Sequence, residues 1–215
     1  MPVALPMTAS EPPAAERRRR LAAAGLVLGP PLFMLGEVVH HQVDTRPVLA
    51  AALACLGLYL WIAGILGIVH LLRPDADRLG LLGGAAALLG AIAVSNIMVI
   101  QLVFALVDQK VESYPELIRD IFNYVLFVTY LFGPVFPAAL AVLAGGLLWQ
   151  RIFPTWITVT FLSGALTFPV GRVGGVPLIL HVTDFLLAVG AMAMGWQLWK
   201  RAELWNGPPE RPADR

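Results

Sequence analysis

The chain has 215 residues, 58% of them hydrophobic and only 13% charged, with a mean hydropathy of +0.75. Soluble domains carry about 25% charged residues, so too few charges are present to clothe a water-facing surface. The formal net charge of +1 gives no reason to invoke nucleic acid as a partner, and the single cysteine excludes an internal disulfide and any multi-cysteine metal site.

The solvent left for such a chain is lipid. Crossing the bilayer core of about 30 Å takes a helix of about 20 mostly apolar residues. Six runs meet or approach that length: Leu21 to Val39, Val48 to Leu72, Leu79 to Val107, Ile121 to Trp149, Phe153 to Val170 and Val176 to Trp199. Backbone polar groups in lipid must bond within the segment, and these runs are too long for barrel strands. The expected fold is therefore an all-α integral membrane bundle of six transmembrane helices.

Taken in order, residues 1–16 are rich in Pro and Ala and read as a disordered tail. The transmembrane domain is expected over 17–202, and residues 203–215 read as a second disordered tail. "ERRRR" at 16–20 opens the first helix. With the N-terminus inside, eleven of the 15 Lys and Arg residues fall in inner segments, which predicts both ends in the cytoplasm, the membrane being the cell's inner (plasma) membrane. The arginines then act as a topology anchor touching anionic lipid heads. A basic start before an apolar core also suits an export signal, but "GEVVHH" follows in place of a small-residue cleavage pattern, so a retained helix is expected.

Gly25 and Gly29, and Gly80 and Gly84, are small-xxx-small pairs that allow close helix packing. Proline breaks are expected in helix 1 at Gly29, Pro30 and Pro31, and in helix 4 at Gly133, Pro134 and Pro137. "SYPE" at 113–116 offers a capping box before helix 4, with Ser113 as N-cap and Glu116 facing back.

The richest polar stretch is "FMLGEVVHHQVD" at 33–44. Counting about 20 residues from Leu21 puts the outer boundary near His40, with Glu37 roughly 4–5 Å below it. Counting back from Trp199 puts His181 at the same boundary and Asp184 one turn inside. Helices 1 and 6, if adjacent, bring together Glu37, His40, His41, His181 and Asp184, with Arg172 at the same level. Ionisable residues at membrane depth raise a functional hypothesis. Glu37 and Asp184 are the candidate acid–base groups. His40, His41 and His181 are the candidate metal ligands, for zinc, copper or iron, the last as haem included. Asn96, Gln101, Asn123, Tyr130 and Arg172 are the polar groups available to line a pocket, Asn96 serving equally as a hydrogen bond between helices. The plainer alternative is that Glu37 and Asp184 pair with Arg172 or with a histidine and hold the bundle together.

"GGLLWQRIFPTWITVTFLSGAL" at 145–166, in which a basic residue and then Pro-x-Trp open the next helix, and "GEVVH" at the end of the first helix resemble uncharacterised small six-helix membrane proteins of high-GC bacteria. That likeness implies six helices and no particular activity. No phosphate loop, dinucleotide fingerprint or serine elbow occurs. The expected function is an outward-facing polar pocket that binds a small ligand or metal. An enzyme acting on a lipophilic substrate, a small transporter and an accessory subunit are the alternatives. The expected partners are the lipid bilayer, a lipophilic small molecule, and a second copy or another membrane protein.

Overall fold

The computed structural model describes residues 13–42, 47–107, 116, 120, 123–124, 127, 131–174 and 176–206. Among them the protein is all-helical. The elements are α1 (Pro13–Gln42), α2 (Pro47–Val107), α3 (Val135–Trp149), α4 (Thr155–Gly174), α5 (Pro177–Lys200) and a short α6 (Glu203–Asn206). Among the described residues, four helices are long and apolar enough to cross a membrane: Pro13–His40, Val48–Leu72, Arg78–Ile100 and Leu178–Lys200. Val135–Trp149 is apolar but shorter. The capping box lies outside the described residues, apart from the exposed Glu116.

Every residue of α2 from Pro47 to Val107 is helical, yet the element is bent back on itself as a hairpin. A β-carbon on Gly84 would meet the side chain of Val69, and one on Gly80 would lie 3.4 Å from the Val69 carbonyl. In a straight helix residues 69 and 84 would stand about 22 Å apart. The chain therefore doubles back over 73–77, giving a first arm (Val48–Leu72) and a second arm (Arg78–Ile100). The Gly80 and Gly84 pair thus closes a hairpin within one element.

Neighbours in sequence are neighbours in space. α1 packs on α2, α2 on α3, α3 on α4 and α4 on α5, and α5 returns to α1. Trp61 sits at the hub and is 1% exposed. It meets Phe136 of α3 edge-on at 5.4 Å and Phe33 of α1 at 6.3 Å, so one indole joins three elements. Leu21, Leu28 and Leu35 recur every seven residues on α1 and are 61%, 50% and 47% exposed. A long apolar stripe facing outward is what lipid covers.

Glycine makes the α1–α2 contact possible. A β-carbon on Gly29 would stand 2.6 Å from the Trp61 backbone nitrogen, and one on Gly25 would stand 2.7 Å from that of Gly64. Lipid supplies no hydrophobic drive between helices, so close packing must hold them. Pro30 and Pro31 lie inside α1 without ending it. The other expected break is real: Gly133 and Pro134 form a turn, and α3 starts at Val135.

The termini end of the bundle holds 13–20, 73–78, 150–154 and 198–206. There α3 closes in a Schellman turn: Arg151 N–H donates to Leu148 at 3.2 Å and Ile152 N–H to Leu147 at 3.2 Å. Arg151 occupies the left-handed position of that turn at φ 53°, where glycine is usual. Arg19 is buried and donates to the carbonyls of Leu198 and Trp199, both at 2.9 Å, capping α5. One of the four arginines is therefore a buried helix cap, a role beyond that of topology anchor. Residues 13–16 and 203–206, expected in disordered tails, are helical. Glu16 pairs with Arg20, and Glu203 accepts from Arg201 at 2.9 Å, which holds its carboxyl below the usual carboxylate range.

Two stability outcomes follow from this packing. Gly29→Val should destabilise the protein by about 2 kcal/mol, the cost of overpacking against backbone that cannot yield. Arg151→Gly should stabilise it by roughly 1 kcal/mol by relieving the left-handed strain. Thermal unfolding of the detergent-solubilised protein measures both, and a neutral Gly29→Val would contradict the close helix contact.

Candidate functional site

The site lies at the far end of the bundle, where α1, α4 and α5 meet. α1 and α5 run antiparallel. Arg19 lies beside Leu198, and the Gly195 position faces the Ala23 carbonyl. Continuing along both helices brings Glu37 of α1 to the level of Asp184 of α5. Between them stands Arg172, near the C-terminus of α4. Its Nη1 donates to Glu37 Oε2 at 3.2 Å, and its Nη2 lies 3.6 Å from Asp184 Oδ2. The first contact is a hydrogen bond and an ion pair, the second an ion pair alone.

Both carboxylates are buried, Glu37 at 6% and Asp184 at 3% exposure. The guanidinium is half-buried and packs over the ring of Phe168 at 4.5 Å and that of Phe33 at 5.4 Å. Aromatic faces stabilise a cation and exclude water from it. Two carboxylates and one guanidinium give the triad a formal charge of minus one. Neither oxygen of Asp184 has a hydrogen-bond donor among the described residues.

The helix around Asp184 carries a second polar link. Thr183, 1% exposed, donates to Thr167 Oγ1 at 3.0 Å, and Thr167 donates to the Ser163 carbonyl at 2.8 Å. This ladder fixes the register of α5 against α4 and so the angle at which Asp184 meets Arg172. Thr160 likewise bonds back to Trp156 at 2.8 Å. Thr183 carried no signal of its own in the sequence; only its place beside Asp184 on a helix facing another threonine gives it a role.

Two narrow clefts flank the triad. Glu37 and His40 line one, with Gly36, Ala50, Ala54 and Met98; its open volume is about 10 Å³, no more than one water occupies. Asp184 lines the other, with Pro30, Phe33, Trp61 and Leu187, and this one has no room for water. The indole nitrogen of Trp61 is buried without a hydrogen-bond partner among the described residues.

The other candidates are placed as follows. His40 is exposed one turn beyond Glu37, and His181 is half-buried one turn before Asp184. The side chains of His41, Gln101 and Tyr130 lie outside the described residues, as does Asp44. Asn96 is exposed on the second arm of α2, and its neighbour Ser95 is the residue that turns inward. Asn123 is also exposed. Among the described residues, no three of His, Cys, Asp and Glu come together as a metal-binding group. Compared with family models, curated proteins and solved structures, the chain matches none of them.

A double-mutant cycle tests the triad. Glu37→Gln and Arg172→Gln should each destabilise, and the pair should cost less than their sum. A coupling energy of about 1–3 kcal/mol is expected for neighbours in one charged network. Strict additivity in chemical or thermal unfolding would mean that the ion pair contributes nothing.

Proposed function

We propose that this is a six-span plasma-membrane protein with both termini in the cytoplasm, and that its outer-end triad binds a small cation. The observation that carries this reading is the convergence of two buried carboxylates on one guanidinium. Arg172 is shared between the two carboxylates and balances only one of their two formal charges, so a positive charge from outside the chain would complete the set. A charge buried without compensation is costly, so the excess calls for a bound cation or a proton. Glu37 reaches the cleft with His40 at the membrane edge, and Asp184 lies beyond Arg172 toward the core. A cation would enter at Glu37 and be shared with Asp184 as Arg172 shifts on its aromatic shelf. The clefts hold at most a single water, so entry of anything larger than a bare ion requires α1 to move. Pro30 removes one helical hydrogen bond and Pro31 another, and this weakened stretch of α1 carries Phe33 and Glu37 beyond it.

A second reading has its own support. The tightness of both clefts favours a purely structural clasp that locks α4 between α1 and α5, as an accessory subunit would need.

Thermal unfolding in non-ionic detergent distinguishes the two. Sodium, calcium, zinc, methylammonium and guanidinium chlorides serve as probes at constant ionic strength. Cation binding predicts that at least one raises the midpoint progressively with the logarithm of its concentration. That rise should vanish in both Glu37→Gln and Asp184→Asn. If no cation shifts the wild-type midpoint, the clasp stands and the binding reading fails. Accessibility of cysteines placed at Ser10 and His40, in a Cys55→Ala background, checks the orientation: only the second should react from outside intact cells.

A further inference from the structure

The termini end carries a second polar feature, independent of the triad. Between α1 and the first arm of α2 lies a cavity of about 300 Å³, at the lower end of the range for small-ligand sites. Its lining divides by chemistry. Arg18, His70 and Trp205 are polar or amphipathic, whereas Leu21, Ala63 and Leu66 are apolar. Helical rise orders the two sets along the bundle axis. Leu21 lies about 4.5 Å deeper than Arg18, and Leu66 and Ala63 lie roughly 6 and 10 Å deeper than His70. The polar groups are thus at the membrane edge and the apolar ones toward the hydrocarbon. Leu21 and Leu66 are 61% and 51% exposed, so the apolar part opens sideways onto the lipid-facing surface.

The polar end is built from fixed parts. His70 and Trp205 stack with ring centroids 4.1 Å apart, and His70 Nε2 donates to the Trp205 carbonyl at 3.2 Å. That contact holds α6 against α2 beside the cavity. The neighbouring arginines are occupied: Arg19 caps α5, while Arg20 pairs with Glu16 and stacks on Trp199. Arg18 has no ion-pair partner among the described residues. Its charge faces an opening whose remaining walls supply no anion.

The geometry points to a bound anionic lipid, its phosphate paired with Arg18 beside Trp205 and one acyl chain laid along Leu21, Ala63 and Leu66. A free phosphate would leave the apolar walls unused. A zwitterionic lipid would bring a second positive charge toward Arg18. Basic pockets between helices at the cytoplasmic leaflet suit anionic head groups for the same reason.

The test uses the full chain in a non-ionic detergent after lipid removal. Short-chain phosphatidylglycerol, short-chain phosphatidylcholine and sodium phosphate are titrated, and retention is read by native mass spectrometry. One phosphatidylglycerol per chain should be retained, with the other two at least about tenfold weaker. Arg18→Gln should weaken phosphatidylglycerol about fivefold or more, the contribution of one arginine at an anionic surface. Leu66→Trp, which narrows the apolar part without touching the charge, should weaken it too. Arg78→Gln, an exposed arginine at the same end but outside the cavity, should leave binding as in the wild type. Equal retention of the two lipids, or wild-type binding by Arg18→Gln, would overturn the proposal. Inorganic phosphate held as tightly as the lipid would also overturn it. Unfolding midpoints without lipid confirm that each variant is folded.

Discussion

The backbone of α1 rests directly on the first arm of α2, because Gly25, Gly29 and Gly36 on one side and Gly57 and Gly64 on the other leave little side chain between them. In lipid, dispersion at short range does what hydrophobic burial does in water. The approach has consequences along the whole of α1. It sets Phe33 within reach of Trp61, which in turn meets Phe136 of α3. It also fixes the rotation of α1, so that Glu37 turns inward toward α4 and α5 while Leu21, Leu28 and Leu35 face out.

With α1 held, the polar chemistry is confined to the two ends of the bundle. At the far end, Arg172 ties Glu37 and Asp184 together from a third helix. Such an arrangement is stable only as a set, since removing one partner strands another charge in a poor dielectric. At the termini end, arginines are divided among different tasks: one caps a helix, one pairs along its own helix and packs on an indole, and one faces a cavity. The same residue type serves as hydrogen-bond donor, stacking plate and point charge, according to what the local packing leaves free.

Much of this was readable from the residues. Composition and run length gave the all-helical class, and the spacing of Gly25 and Gly29 marked a close-packing face on α1 without naming its partner. Counting residues from the basic ends put Glu37 and Asp184 at one depth, because helical rise is nearly invariant. The partner of both was less readable. Arg172 could be placed at the right level, but its rotation about α4 depends on Thr167 meeting Thr183, a tertiary contact with no periodic signature. Asn96 was misleading for a similar reason: adjacent residues on a helix point about 100° apart, and it is Ser95 that turns to the core. The dual identity of "ERRRR" was also hidden. Charge bias assigns a segment to one side of a membrane, but it does not say which of four identical side chains will fold back under a distant helix.

Arg19 closes a circle in the chain. Its guanidinium reaches the last carbonyls of α5, some 180 residues later. The contacts of α1 are therefore incomplete until α5 has been made. Before that moment the glycine contact and the Phe33–Trp61 packing hold α1 in register with α2. Arrival of α5 then supplies both halves of the closure together, the cap at one end and Asp184 at the other. α5 acts as a latch on α1: without it Arg19 has no carbonyls to cap, and Arg172 keeps only one of its two carboxylates.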